Sequence, residues 1–197
     1  ITAGLSSALK QIIADAPLNT RASIAVSAPE GSALYQTLET DLPDLNSVRR
    51  VIDFDLEDEF PLPVDDLVID ACGTRDVDDT TRGFLAGAVP RKTLEDVHAA
   101  LGEAGLSGVL LDADACALHA AATWDRADLD GAAFAVVRVD SGRVVLSLGV
   151  GETPRMGRGL TMPADAELPA WLSREIELAW RDTFGVAPDA HAPILAG

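Results

Sequence analysis

Lysine is nearly absent. Of 15 basic residues only Lys10 and Lys92 are lysine, and they face 32 acidic residues in a chain of net charge −17. A surface this acidic repels phosphate backbones, which argues against nucleic acid as a partner. Cysteine is almost as scarce. Cys72 and Cys116 stand far apart, with no CxxC and no nearby histidine pair, so both are expected as buried, reduced thiols rather than a disulfide or a metal site. His98, His119 and His191 share no ligand spacing, so no metal is expected. No run approaches the roughly 18–20 apolar residues of a membrane helix, and no basic, apolar leader opens the chain. With 48% hydrophobic and 24% charged residues over 197 positions, the expectation is a soluble piece able to bury one large core or two small ones. It opens on Ile1 in what reads as mid-helix and stops at Gly197 after an apolar run. Both ends are therefore expected to continue in a longer chain.

Signatures of catalysis are missing as well. There is no GxSxG elbow, no GxxxxGK[ST] phosphate loop and no DxDxDG calcium loop. The acids cluster at Asp53, Asp55, Glu57, Asp58 and Glu59, and again at Asp76, Asp78 and Asp79. Without a glycine-bearing loop, these read as solvated surface rather than a cation site. Gly149-Val150-Gly151-Glu152 reads as a turn, and the whole of 149–163 as a Gly-, Pro- and Arg-rich loop. Arg155 and Arg158 within it form a candidate anion patch, since two guanidiniums can grip a carboxylate or phosphate.

What the chain does hold is a regular alternation of helix and strand patterns. Leu5, Leu9, Ile12 and Ile13 mark one helix, ended by Pro17. Strands are expected at 23–28, 33–38, 67–71, 83–89 and 109–111. Apolar spacing at Leu45, Val48, Val51, Ile52 and Leu56 predicts a helix over 45–60, stopped by Pro61. A capping-box pattern at Thr93 starts another helix, which ends at a left-handed Gly105. Asp114 is positioned to cap an alanine-rich helix running to about Trp124. Two strands, 134–139 and 143–148, are joined by the hairpin signal Asp140-Ser141-Gly142. A last helix carries Leu168, Leu172, Ile176 and Ala179, and 194–196 begins a final strand. The pattern is α/β with mixed sheets, with a polar seam at 125–130.

Two aromatic features offer partner surfaces. Phe60-Pro61-Leu62-Pro63 is a rigid apolar segment that either plugs the core or walls a peptide groove. Trp171 and Trp180 lie nine residues apart on the last helix, on opposite sides of it, so one must lean away from the apolar face. Trp180 is the candidate interface anchor.

From Val51 onward, VIDFDLEDEFPLPVDDLVIDA resembles PilM-type pilus assembly proteins, in which an acidic helix gives way to a Phe-Pro-Leu turn and a strand. GFLAGAVPRKTLEDVHAALGEAGLSGVLLDADACALHAA is similar to that family's strand, helix, "EAGL" and strand ending in an aspartate, here Asp112. The cytoplasmic domain of the secretion protein GspL is an architectural relative of the same family.

The resemblance implies an actin-like (ribonuclease H-like) α/β fold, FtsA-related and represented by a fragment. Residues 1–124 would form the first domain, lacking its first strands and carrying an inserted subdomain at about 34–104. Residues 125–197 would start the second domain. It implies a scaffold at the inner face of the bacterial inner membrane, serving type IV pili or type II secretion. The expected partner is a PilN-like membrane-protein tail or a secretion ATPase, with membrane association through partners and a homodimer as a further expectation. The family's second phosphate loop falls at 129–134, where Asp130 and Gly131 remain but alanines replace the hydroxyl residues. These two are expected as a degenerate nucleotide-binding remnant. No cofactor is expected, with ATP bound only if segments outside the chain complete the pocket. The alternatives are such an ATP-binding protein, or an unrelated α/β enzyme.

Overall fold

In the computed structural model, which describes residues 2–15, 24–106, 109–188 and 194–196, helix α1 (Thr2–Asp15) leads to strand β1 (Ile24–Ser27). The chain then builds a separate antiparallel sheet from β2 (Leu34–Thr40), β3 (Leu67–Asp76) and β4 (Arg82–Pro90), in the order β2-β4-β3. Between β2 and β3 lie two single-turn helices, α2 (Leu45–Val48) and α3 (Ile52–Asp55), where spacing predicts one continuous helix. Like charges four apart, Asp53 with Glu57 and Asp55 with Glu59, oppose extension of the second helix past Asp55. The apolar reading survives the break: Val48, Ile52, Leu56 and Phe60 all reach one core, packed on Leu67, Ala71, Phe84, Ala86 and Ala88 of the inserted sheet.

Helix α4 (Arg91–Glu103) returns the chain to β1, beside which β5 (Val109–Asp112) runs parallel. It begins directly after Pro90, so Thr93 lies inside the helix and caps nothing. Its end is the one expected. Gly105 takes φ +80°, Leu106 N–H donates to the Leu101 carbonyl at 3.0 Å, and Gly105 N–H donates to Gly102 at 3.0 Å. These two bonds satisfy carbonyls that a helix end leaves open. Val97, Leu101 and Leu106 pack against Leu5, Leu9 and Ile13 of α1 and against Val26 and Leu111. Helix α4 thus packs on α1, β1 and β5, and the last strand of the inserted sheet ends at Pro90.

Helix α5 (Asp114–Thr123) precedes a hairpin of β6 (Ala133–Asp140) and β7 (Arg143–Val150). Ser141 and Gly142 both adopt positive φ, 46° and 82°, as a two-residue I′ turn requires. Strand β8 (Thr153–Thr161) follows where a loop is expected, then α6 (Leu168–Phe184) and β9 (Ile194–Ala196). The sheet order is β8-β7-β6-β9, with β9 parallel to β6.

The glycines that make β8 read as a loop are there for close approach. A Cβ on Gly157 would stand 2.7 Å from the Tyr35 ring, and one on Gly159 would stand 3.1 Å from the Gly31 backbone. This last sheet is sandwiched. Ala135, Val137, Val144, Leu146 and Leu148 pack under α6, while Phe134 and Val136 face Leu118 and Ala122 of α5.

Candidate functional site

Alternation along β3 prepares a site. Leu67, Ile69 and Ala71 point into the inserted subdomain's own core, so Val68, Asp70 and Cys72 point the other way. Pairing carries that face onto β4, where Val68 lies opposite Val89, Asp70 opposite Gly87 and Cys72 opposite Leu85. The face looks across a cleft of about 420 Å³ toward Leu110 on β5 and toward Ala113 and Cys116 on and before α5. The lining is largely apolar. Val68 and Leu110 remain 38% and 66% exposed, an apolar pair on the two sides of one opening.

The sheet stands close to α5 because β4 offers no side chain at Gly87, where a Cβ would lie 3.3 Å from that of Ala113. A buried network holds the approach. Asp114 accepts the Tyr35 hydroxyl at 2.6 Å and the Gly31 N–H at 2.6 Å, and the Tyr35 oxygen accepts the Ala115 N–H at 2.7 Å. Burial, with the neighbouring Asp114 carboxylate, pushes the Tyr35 phenol well above its usual range and keeps it a donor. Asp114 is therefore the first residue of its helix and a tie to the inserted sheet, rather than a simple cap.

At the rim, Arg49 forks onto Asp70 through Nε (2.5 Å) and Nη2 (2.9 Å). Asp112 closes the inner end; burial pushes its carboxyl up, opposed by the Ala113 N–H bond. An apolar cleft with a forked ion pair at its edge can hold an extended or helical apolar segment. It presents no nucleophile with an oriented base.

The nearest such pair lies elsewhere and is sealed. His119 Nε2 donates to the Gly151 carbonyl at 2.9 Å, its Nδ1 lies 3.4 Å from Ser147 Oγ, and its ring stacks on Phe134. Both side chains are fully buried, which makes them packing groups. Among the described residues, no cluster of three His, Cys, Asp or Glu could hold a metal.

The residues singled out from sequence scatter. Asp130 and Gly131 (φ +67°) form a turn lining a second cleft of about 670 Å³ with Gly151, Glu152 and Thr153. Next to it the Ala132 carbonyl accepts the Gly151 N–H at 3.0 Å. Phe60 is 9% exposed in the inserted core and Trp180 is 5% exposed on the buried face of α6, so neither presents a partner surface. Trp180 sits on the helix's main apolar face and Trp171 at the margin of the same cluster, which accounts for both indoles. Of the proline segment, Pro61, Leu62 and Pro63 are on the surface. Arg155 and Arg158 line a third cleft, but Arg158 pairs with Asp182 at 3.8 Å and Glu39 lines the same space, so the patch carries both signs. Missed from sequence are Val68, Cys72, Leu110 and Cys116. The signal available was β3 itself: an antiparallel strand with apolar residues on both faces must cover a second surface.

No family model matches the sequence, and comparison with curated proteins finds no relative. Among solved structures, the chain overlays on the PilM–PilN type IV pilus biogenesis complex with a TM-score of 0.65 and 15% identity, over 93% of its length. It overlays on the cytoplasmic domain of EpsL, an inner-membrane component of the type II secretion system of Vibrio cholerae, with a TM-score of 0.59 and 16% identity, over 97% of its length. It spans 58% and 66% of those two chains. The fold is the actin-like α/β arrangement that the resemblance implies. Among the described residues, no helix is long and apolar enough to cross a membrane.

Proposed function

We propose that the chain is part of an actin-fold scaffold of an inner-membrane assembly platform for type IV pili or type II secretion. It holds the cytoplasmic tail of a membrane protein in the cleft between the inserted sheet and α5, and it does so without turning over nucleotide. The observation that carries this is the cleft itself: an apolar opening flanked by Val68 and Leu110, on a fold shared with a pilus complex of two proteins. The partner is PilN-like, meaning a short peptide from a protein anchored in the membrane, which places the scaffold at the inner face. The nucleotide reading rests on Asp130 and Gly131 being followed by alanines, which have no hydroxyl to offer a phosphate or metal-bound water.

The test is fluorescence polarisation with a labelled peptide copying the cytoplasmic N-terminal tail of a PilN-like membrane protein. Binding is expected in the micromolar range, weakened about tenfold or more by Leu110→Asp with the circular dichroism spectrum unchanged. Binding indifferent to that change would remove the cleft from the argument. Calorimetry with Mg-ATP on the full-length protein decides the nucleotide question. No heat at millimolar ATP is expected, and a micromolar dissociation constant would favour an ATP-dependent protein instead.

A further inference from the structure

The two cysteines of the chain, 44 positions apart in sequence, meet in the fold. Cys72 projects from the cleft-facing side of β3, Cys116 from the first turn of α5, and both line the same cleft. The two thiols face the same opening, near enough for each to perturb the other's ionisation. They belong to different parts of the molecule, the inserted sheet and the helix beneath it, which Gly87 lets approach within side-chain contact. Neither is bound in a disulfide, and both are half-buried rather than sealed.

We propose that Cys72 and Cys116 are a redox pair whose reversible disulfide staples the inserted sheet to α5 and controls admission to the cleft. The staple stands on both thiols lining one cleft; the gating rests on the cleft being the partner site. A disulfide draws its two Cα atoms to about 5.5–6 Å and fixes their relative direction. Bonded pairs of this kind inside cells are characteristically transient and redox-sensing.

The chemistry balances with a hydroperoxide as oxidant. The neighbouring Cys116 thiol pulls the Cys72 thiol below its usual range, while Cys72 and burial push Cys116 up. Cys72 is therefore the reacting thiolate. Its sulfur attacks one peroxide oxygen, the O–O bond breaks, and a sulfenic acid forms with release of hydroxide. The Cys116 sulfur then attacks the sulfenic sulfur. The S–S bond forms, the S–O bond breaks, and the Cys116 proton leaves with the departing hydroxide as water. Two electrons pass from the thiols to the peroxide. A dithiol reductant returns both thiols by exchange through a mixed disulfide.

The experiment uses the full 197-residue chain and hydrogen peroxide. Thiols counted after denaturation should fall from two to none, the chain should stay monomeric on a non-reducing gel, and dithiothreitol should restore both thiols. Cys72→Ser should leave Cys116 untouched by the same treatment. Amide hydrogen exchange at the start of α5 should slow about tenfold on oxidation. Thiols that survive, that link separate chains, or that dithiothreitol cannot restore would overturn the staple, as would unchanged exchange. The labelled tail peptide should bind the oxidised form about tenfold more weakly than the reduced form, and equal binding would overturn the gating. If the peptide fails to bind the reduced protein, the cleft reading and the gating fall together, and the thiol count and exchange still decide the staple.

Discussion

The ring of Tyr35 lies so close over Gly157 that a β-carbon there would stand 2.7 Å from Cδ1 and 2.8 Å from Cγ. This contact joins the inserted sheet to β8 across a boundary that neither strand's own sequence announces. Gly157→Ala must displace the ring, and with it the hydroxyl that bonds Asp114. The expected cost is about 1–3 kcal/mol, the range for overpacking. Urea unfolding of the variant checks it, and an unchanged midpoint would mean that the ring moves freely.

Phe60 and Leu110 separate packing from recognition. Phe60 is buried among Val48, Ile52 and Leu56, so Phe60→Ala should destabilise by about 3–5 kcal/mol. Leu110→Ala removes a side chain that is 66% exposed and should shift stability by less than about 0.5 kcal/mol. Thermal melts of the two variants should therefore differ widely, while only the second reports on the cleft.

His119 sets a pH response whose sign follows from its burial. Desolvation pulls its pKa below the usual value of about 6.5, opposed by the bond to Gly151. The unfolded chain therefore takes up the proton first. Stability from the neutral ring is complete above about pH 6.5 and is lost as pH falls from there toward the folded value. The unfolding midpoint should drop between about pH 7.5 and about pH 5.5 by more in the natural protein than in His119→Gln, which lacks the titrating group. Parallel drops in the two proteins would assign the response to the carboxylates.

Ser141 occupies a left-handed position, φ 46°, that asparagine takes more readily. Ser141→Asn should stabilise by roughly 0.5 kcal/mol, about 1–2 °C in Tm, read by calorimetry. The reverse sign would mean that the Ser141 hydroxyl, 2.9 Å from Asp140, matters more than the backbone.

The features legible in the sequence are those that neighbouring residues determine. The Asp140-Ser141-Gly142 hairpin and the Gly105 helix end follow from φ preferences and are found where expected. The apolar face of 45–60 is right in its contacts although the helix is broken in two. Strand β8 was hidden because Gly157 and Gly159 serve a contact with Tyr35 and Gly31, more than a hundred positions away, and glycine alone reads as a turn. The cleft was hidden for the same reason. Val68, Cys72, Leu110 and Cys116 come from three different elements, and only the stacking of sheet on helix brings them together. Their distance in sequence made the cysteines look unrelated.

The short bonds from Asp114 to the Tyr35 hydroxyl and the Gly31 N–H have a mechanical meaning. Tension applied to the inserted sheet would not be taken up by slack chain. It would pass through the Asp114 carboxylate into α5 and through the Tyr35 ring into β8, so a pull at one edge of the molecule is felt at the other.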